Sequence, residues 1–185
     1  MAEFRHSTER LILRDWREED WAEFWRGTNT PAVMQWLGGE LEASGMAAAQ
    51  ARLETYQASY GHTFWVVERQ GDGAILGFCG LKRCTDEDGP FGMPEIGWRL
   101  RESAWGQGYA KEAARASLAV GFERFGFEEI VALTVQGNTA SRGLMLALGM
   151  TRRPDLDFAQ SHWSSGYGQV IVHAIDRSTW TEAHG

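Results

Sequence analysis

The sequence predicts a single domain, residues 1–185, with an α+β fold in which helices flank a mixed, mostly antiparallel sheet. Two patterns favour this fold. Short apolar segments separated by turn residues follow one another in the middle of the chain, and strands then alternate with longer amphipathic segments. In addition, a hydrophobic content of 43% and nine tryptophans favour a packed globule over a disordered chain.

The first half of the chain is predicted to supply three strands and two helices. In chain order these are a strand at 10–16, helices at 17–26 and 45–60, and strands at 63–69 and 74–82. The last two strands are joined by residues 70–73, a turn with two glycines that accept positive φ. Residues 85–92 are acidic and are expected to form an exposed loop.

The second half is predicted to alternate strands and helices. The elements are a strand at 94–100, a helix at 109–125, a strand at 129–136, a helix at 138–148 and a last strand at 169–176. In the first of these helices Ala114, Leu118 and Phe122 share one face, as in an amphipathic helix. Gly126 and Gly149 follow the two helices and are expected to end them.

Composition excludes several classes of function. A net charge of −7 argues against nucleic acid as a partner and suits a cationic substrate, although it could equally serve solubility. No apolar run could span a membrane, and residues 1–15 carry charges where a signal peptide is apolar, which predicts a cytoplasmic protein with no membrane partner. Cys79 and Cys84 lie outside any cluster with metal-ligand spacing, so neither a metal site nor a disulfide is expected.

The most informative segment is Trp105-Gly-Gln-Gly-Tyr-Ala-Lys111, between a predicted strand and a predicted helix. Two glycines before a helix leave backbone N–H groups unshielded where the helix already favours negative charge, which indicates a phosphate site. A nucleotide P-loop is excluded because no glycine is followed by lysine. The dinucleotide pattern fits poorly because Lys111 stands where a third glycine or alanine is needed.

This segment resembles the acyl-CoA pyrophosphate loop of the GNAT N-acetyltransferase superfamily, whose pattern is Arg/Gln-x-x-Gly-x-Gly/Ala. The match departs only at the first position, where Trp105, together with a nearby glutamate, resembles the Rim-type branch that acetylates ribosomal-protein N-termini. Other segments similar to the superfamily follow in order: Thr8-Glu-Arg-Leu-Ile-Leu-Arg14, Phe64-Trp-Val-Val-Glu-Arg69, Gly77-Phe-Cys-Gly-Leu81, Asn138-Thr-Ala-Ser141 and Leu148-Gly-Met150.

The resemblance implies acetyl-CoA as co-substrate. In the GNAT fold the strands here at 94–100 and 129–136 splay apart at one end, and the pantetheine arm lies in the gap and pairs with the first strand. The residues expected to bind acetyl-CoA are therefore Trp98, Arg99, Leu100, Trp105, Gly106, Gln107, Gly108, Tyr109, Ala110, Lys111, Asn138 and Ser141. Gly143 stands where relatives often carry a second basic residue, so one of the expected basic contacts to the phosphates is missing.

Glu95 is the first candidate for catalysis. Alternation along the strand places Ile96 on the apolar face and Glu95 on the other face, beside Gly97. Because Gly97 has no side chain, the surface next to Glu95 is expected to be open to a substrate. The resemblance implies that Glu95 is the general base, whereas an ordinary solvated strand glutamate is the alternative.

Ser141 is the second candidate. The resemblance implies that its hydroxyl lies near the thioester sulfur, as an acid toward the leaving thiolate, with Asn138 against the pantetheine. Helix capping by Asn138 is the simpler explanation and is compatible with both roles. His62 and His173 are isolated histidines and are expected to be structural, with His173 the better placed of the two to face the cleft.

The implied activity is transfer of an acetyl group to a primary amine. The acceptor is expected to be a protein or peptide N-terminal α-amine; a small-molecule amine, or a CoA-binding sensor without turnover, are the alternatives. Residues after Met150, including the stretch Asp157-Phe158-Ala-Gln-Ser161, depart most from the relatives, so the acceptor side is the part least defined by the resemblance. The sequence leaves homodimerisation open.

Overall fold

A computed structural model describes residues 3–85, 89–159 and 166–184, which form an eight-stranded sheet with six helices. The elements are β1 (Arg5–Ser7), β2 (Leu11–Arg14), α1 (Asp20–Thr28), α2 (Pro31–Met34), α3 (Ala43–Tyr60), β3 (Phe64–Arg69), β4 (Ile75–Arg83), β5 (Pro94–Leu100), α4 (Tyr109–Glu123), β6 (Glu129–Val135), α5 (Thr139–Ala147), β7 (Thr151–Arg152), β8 (Val170–Asp176) and α6 (Arg177–His184). Short 3₁₀ turns lie at Glu102–Ala104 and Pro154–Leu156.

The strands are ordered β1-β2-β3-β4-β5-β6-β8-β7. Neighbouring strands are antiparallel except β5 and β6, which are parallel. This arrangement confirms the predicted mixed, mostly antiparallel sheet flanked by helices. No helix in the described ranges is long and apolar enough to cross a membrane.

Helices cover the two faces of the sheet with separate apolar clusters. The larger cluster joins the buried face of α4 to the strands, including Leu118, Phe122 and Trp65. A second cluster, on the opposite face, packs Phe24 of α1 against Phe64 of β3. A third and smaller one surrounds Cys84 and Val131 near the amino end of β5. The neighbouring strands β5 and β6 therefore lie in the interior of a sheet that is packed on both faces.

The predicted elements agree closely with the observed ones where hydrophobic periodicity is strong. The strand at 94–100 is found with the same bounds, and the helix predicted at 109–125 is observed at Tyr109–Glu123. Four elements were not predicted: β1, α2, β7 and α6. Three of them span only two to four residues, too few to show a period, and α6 has a polar sequence with little hydrophobic signal.

Candidate active site

The gap between β5 and β6 is visible in the strand pairing. β5 is hydrogen-bonded to β4 over its whole length, from Gly77 opposite Leu100 to Arg83 opposite Pro94. In contrast, its register with β6 is limited to Glu95 opposite Val131. Within the described chain, the β6-facing edge of β5 beyond Glu95 thus lacks a strand partner and can pair with an extended ligand arm.

One residue partly occupies that edge. The indole N–H of Trp105 donates a hydrogen bond to the Leu100 carbonyl oxygen at 2.9 Å. The last carbonyl of the predicted pantetheine-binding strand is therefore already satisfied. The hydrogen bonds from Cys84 N–H to the Met93 oxygen and from Arg101 N–H to the Leu76 oxygen show that the backbone groups of odd-numbered residues of β5, Arg99 included, face β4. Trp98 is thus left as the backbone partner along this stretch. The bond also explains what the tryptophan does at the first position of the loop: it ties the loop back to the strand that precedes it.

The loop itself is built as an anion cradle. Residues 105–108 are exposed, and Gly106 and Gly108 have φ of 72° and 80°, in the left-handed region that favours glycine. A Cβ built on Gly106 would meet no neighbouring heavy atom within 4 Å, so open space lies in front of the backbone. The 15-residue helix α4 begins directly afterwards at Tyr109. The unshielded N–H groups and the positive end of the helix fit a pyrophosphate.

Two further predicted residues lie at the same edge of the sheet. Because β5 and β6 run parallel, α4 and α5 both begin at the carboxyl ends of these strands. Asn138 caps α5, and its side-chain oxygen accepts a hydrogen bond from the Ser141 N–H at 3.1 Å. The Ser141 hydroxyl is half-buried and makes no hydrogen bond within the described ranges. The capping explanation of Asn138 is confirmed, and the hydroxyl is left available. Lys111 is exposed in the first turn of α4.

Glu95 lies where the two strands begin to diverge. The residue is only 8% exposed, and one of its oxygens is 3.1 Å from the Lys82 ammonium nitrogen and 3.7 Å from the Cys84 sulfur. The unbroken register with β4 keeps Glu95, Gly97 and Arg99 on one face of the strand. Glu95 is thus a buried, paired carboxylate and not a solvated strand glutamate.

The expectation of an open surface beside Glu95 is wrong. A Cβ built on Gly97 would lie 2.5 Å from Cζ of Phe64, so the phenyl ring fills the space that the glycine leaves. Glycine is needed at this position for aromatic packing. An acceptor amine must therefore approach Glu95 from the gap between the strands or through a shift of the surrounding side chains.

Arg99 is predicted to bind acetyl-CoA, and the burial of its side chain is the main feature that the sequence did not indicate. The side chain is 9% exposed and lies among the rings of Phe24, Trp25 and Phe78, with its guanidinium carbon 4.7–5.2 Å from their centroids. One terminal nitrogen is 3.2 Å from the Met34 sulfur. Nε has no hydrogen-bond partner, and no carboxylate pairs with the guanidinium in the described part of the chain. Burial lowers the pKa of Arg99 to about 9.

The remaining titratable candidates have structural surroundings. His62 is buried, its Nδ1 is 2.7 Å from the Leu81 carbonyl oxygen, and burial lowers its pKa. His173 is also buried with a lowered pKa, caused first by burial and then by Arg152 and Arg142. Alternation along β8 puts it on the opposite face from Val172 and Ala174, which pack around Cys84, and therefore away from Glu95.

Both cysteines are free and buried, as expected for Cys79. Burial raises the pKa of Cys79 to about 12, so this thiol is inert at neutral pH. No group of histidine, cysteine and carboxylate side chains in the described ranges could hold a metal ion. Of the divergent stretch after Met150, Asp157 pairs with Arg152, while residues 160 and 161 lie outside the described residues, as do 86–88 of the acidic loop.

The glycine loop, the free edge of β5 and the buried Glu95 can be compared with those of known proteins through sequence and fold. Residues 10–151 match the acetyltransferase (GNAT) domain family. The chain belongs to the GNAT acetyltransferase family. Members of this family use acetyl-CoA, and the exposed glycine loop and the free edge of β5 fit that co-substrate. The chain is 33% identical to the Bacillus subtilis protein YkkB over 144 residues, which cover 77% of this chain and 83% of YkkB.

Solved structures agree with this fold. An acetyltransferase from Agrobacterium tumefaciens superposes with a TM-score of 0.79 at 24% identity, covering 96% of both chains. The ribosomal-protein-S5-alanine acetyltransferase from Vibrio fischeri superposes with a TM-score of 0.75 at 16% identity, covering 96% of this chain and 98% of the other. At these identities the likeness is one of fold, and it is consistent with the Rim-type resemblance.

Proposed function

We propose that this acetyltransferase moves the acetyl group of acetyl-CoA to a primary amine, preferably the N-terminal α-amine of a protein or peptide. The observation that supports it most is the position of Glu95, a buried carboxylate opposite Val131 where the strands of the gap diverge. In this proposal the pyrophosphate lies against the backbone N–H groups from Gln107 to Lys111, and the pantetheine arm lies along β5 and against Asn138.

The reaction needs a neutral amine. Its nitrogen attacks the thioester carbonyl carbon, a C–N bond forms, the C–S bond breaks, and the amine loses one proton while the CoA thiolate gains one. Glu95 takes the proton from the amine, directly or through a water. Because Phe64 covers the strand surface beside Glu95, we favour the water-mediated path from the gap.

Ser141 supplies the proton to the thiolate in this proposal. Its hydroxyl lies in the first turn of α5, where the positive end of the helix stabilises negative charge on a departing sulfur. Its N–H is held by Asn138, which fixes the backbone on which the hydroxyl is carried. Ser141 Oγ has no competing hydrogen bond within the described ranges, which leaves it free for this role.

The preference for an α-amine follows from acid–base chemistry. An α-amine has a pKa of about 7.7–8.0 and a lysine side chain about 10.4, so the neutral fraction at neutral pH is a few hundred times larger for the α-amine. One carboxylate base is enough for such a substrate. Removing the more tightly held proton of lysine would call for further assistance. The ribosomal-protein acetyltransferase among the structural neighbours supports the same preference.

Mass spectrometry of peptides that carry both a free N-terminus and an internal lysine tests the acceptor. We expect acetylation mainly on the α-amine, and none above background on the same peptides with a blocked N-terminus. A panel of small amines and polyamines is assayed in parallel for CoA release. Acetylation mainly of lysine, or of small amines alone, would contradict the preference, and CoA binding without any turnover would identify a sensor module.

A further inference from the structure

We propose that Arg10 is a positioning residue for the acetyl-CoA pyrophosphate, held in place by Thr8 and Glu112. Its function would be to fix the peptide between Gln107 and Gly108, so that the Gly108 N–H is aimed at the phosphate before the ligand arrives. The inference rests on the proposed function, because it assumes that this loop binds the pyrophosphate of acetyl-CoA.

The three side chains form one hydrogen-bonded cluster. Glu112 Oε1 accepts from the Arg10 backbone N–H at 2.8 Å and from the Thr8 hydroxyl at 2.6 Å. Glu112 Oε2 accepts from Arg10 Nε at 2.7 Å. The same guanidinium donates through Nη1 to the Gln107 carbonyl oxygen at 3.0 Å and lies 4.5 Å from the centroid of the Tyr109 ring. The start of β2 is thereby connected to the loop and to the first turn of α4.

The bond to the Gln107 carbonyl determines the direction of a phosphate donor. A trans peptide is planar, and its C=O and N–H point in opposite directions. Fixing the Gln107 oxygen toward Arg10 therefore fixes the Gly108 N–H away from Arg10. Gly108, on one side of this peptide, has the conformational freedom of glycine, and Gly106 lies one residue before Gln107, so without this bond the peptide could rotate. Donors that are already oriented lower the entropic cost of binding.

A purely stabilising role does not account for this cluster as well. The Arg10 side chain is 42% exposed, and an exposed ion pair contributes about 0–1 kcal/mol to stability. By contrast Arg14, four residues further along the chain at the end of β2, is buried and paired with Asp20 and Glu68, as expected of a structural network. Arg10 donates to a loop carbonyl through its exposed guanidinium. It bonds Glu112 and Gln107 from two separate nitrogens in a planar group, an arrangement that the single ammonium nitrogen of Lys does not reproduce.

Calorimetric titration with CoA tests the proposal, with thermal unfolding of each variant as the check on folding. Arg10→Ala is expected to weaken CoA affinity about tenfold or more, Arg10→Lys to restore little of it, and Glu112→Gln to have an intermediate effect. Arg17→Ala is the matched control, because the Arg17 side chain is 45% exposed and, among the residues that the structure describes, its ion pair is with Glu3 and not with the loop. This control is expected to bind CoA as the wild type does.

A second measurement separates positioning from general damage. With acetyl-CoA as donor, Arg10→Ala should raise KM about tenfold and change kcat less than about threefold. With S-acetylpantetheine, which lacks the pyrophosphate, the variant and the wild type should have the same kcat/KM. An equal loss of kcat/KM with both donors would overturn this inference and leave the proposed function standing. Unchanged CoA affinity in folded Arg10→Ala and Glu112→Gln would do the same. Failure of the wild type to bind CoA would instead reject the proposed function together with it.

Discussion

The loop that follows β5 and the β5 surface formed by Glu95, Gly97 and Arg99 treat charge in opposite ways. In the loop region, the Arg10 side chain is 42% exposed and the Glu112 side chain 16%, and each makes several hydrogen bonds. On the β5 surface, Arg99 is buried among aromatic rings without a carboxylate partner in the described chain. The exposed backbone of the loop would suit an anion that arrives from solvent, as proposed above, whereas the β5 surface retains a charge at a cost in stability.

The difference indicates that β5 and the loop that follows it have separate tasks in the proposed reaction. Under the proposed function, the loop needs only backbone N–H groups and a rigid frame, because the phosphates of acetyl-CoA are the same whichever amine is acetylated. Under the same proposal, the β5 surface takes a proton from one acceptor amine, which calls for buried groups with defined neighbours. Unpaired buried charge is tolerated mainly where function demands it. The following predictions separate the two regions by their effects on CoA affinity, turnover and stability.

Replacement of Glu95 by Gln is expected to have the largest effect. If Glu95 is the base, turnover should fall by about 10²–10⁴-fold while CoA affinity stays the same, because the carboxylate does not contact the loop. Steady-state rates and calorimetric CoA titration are compared with Glu123→Gln, an exposed glutamate at the end of α4. Turnover within a few-fold of wild type at neutral pH would place the base elsewhere.

Replacement of Gly108 by Val should have the opposite profile. The backbone at Gly108 has φ of 80°, which a β-branched residue adopts only with strain, so the loop should lose the arrangement of its N–H groups. We expect CoA affinity to fall about 10–100-fold, with a small change in melting temperature because the loop is exposed. The control is Gly39→Val, because Gly39 lies in another loop and has a similar φ of 88°. Gly143 is unsuitable as a control because its φ is not positive. Equal CoA affinity in folded Gly108→Val would exclude the loop as the phosphate site.

Two substitutions of Arg99 are expected to affect stability in different directions. Arg99→Ala leaves a cavity among Phe24, Trp25 and Phe78 and should lower the free energy of unfolding by about 2–4 kcal/mol. Arg99→Met fills the space without a charge, and should be neutral or stabilising. Denaturant unfolding of both variants measures this. Strong destabilisation by Arg99→Met would mean that the contacts of the guanidinium with the aromatic rings outweigh the cost of burying its charge.

The sequence predicts the loop far better than it predicts the β5 surface, and the reason is physical. A phosphate loop is made by consecutive residues. The seven residues from Trp105 to Lys111 are therefore enough to predict Gly106, Gly108 and the start of α4. The neighbours of Glu95 and Arg99 come from distant elements: Lys82 from β4, Phe64 from β3, and Met34 from a four-residue helix too short to show a period. Strand alternation alone therefore predicts open space at Gly97, whereas in the structure this glycine makes room for the Phe64 ring.

The smallest expected effect concerns the pH dependence of stability, and it returns to the charge on the loop side. Burial tends to raise the pKa of Glu112, but the hydrogen bonds from Thr8 and Arg10 outweigh it, and the pKa is lowered overall. A carboxylate with a lowered folded-state pKa contributes stability above its unfolded pKa, near 4.3, and this is lost as the pH falls through the folded value. Wild type should therefore lose more stability than Glu112→Gln between about pH 6 and pH 3. Parallel curves for the two proteins would show that the cluster does not hold Glu112 in its charged form, and the connection from β2 to the loop would then have to depend on the Gln107 carbonyl alone.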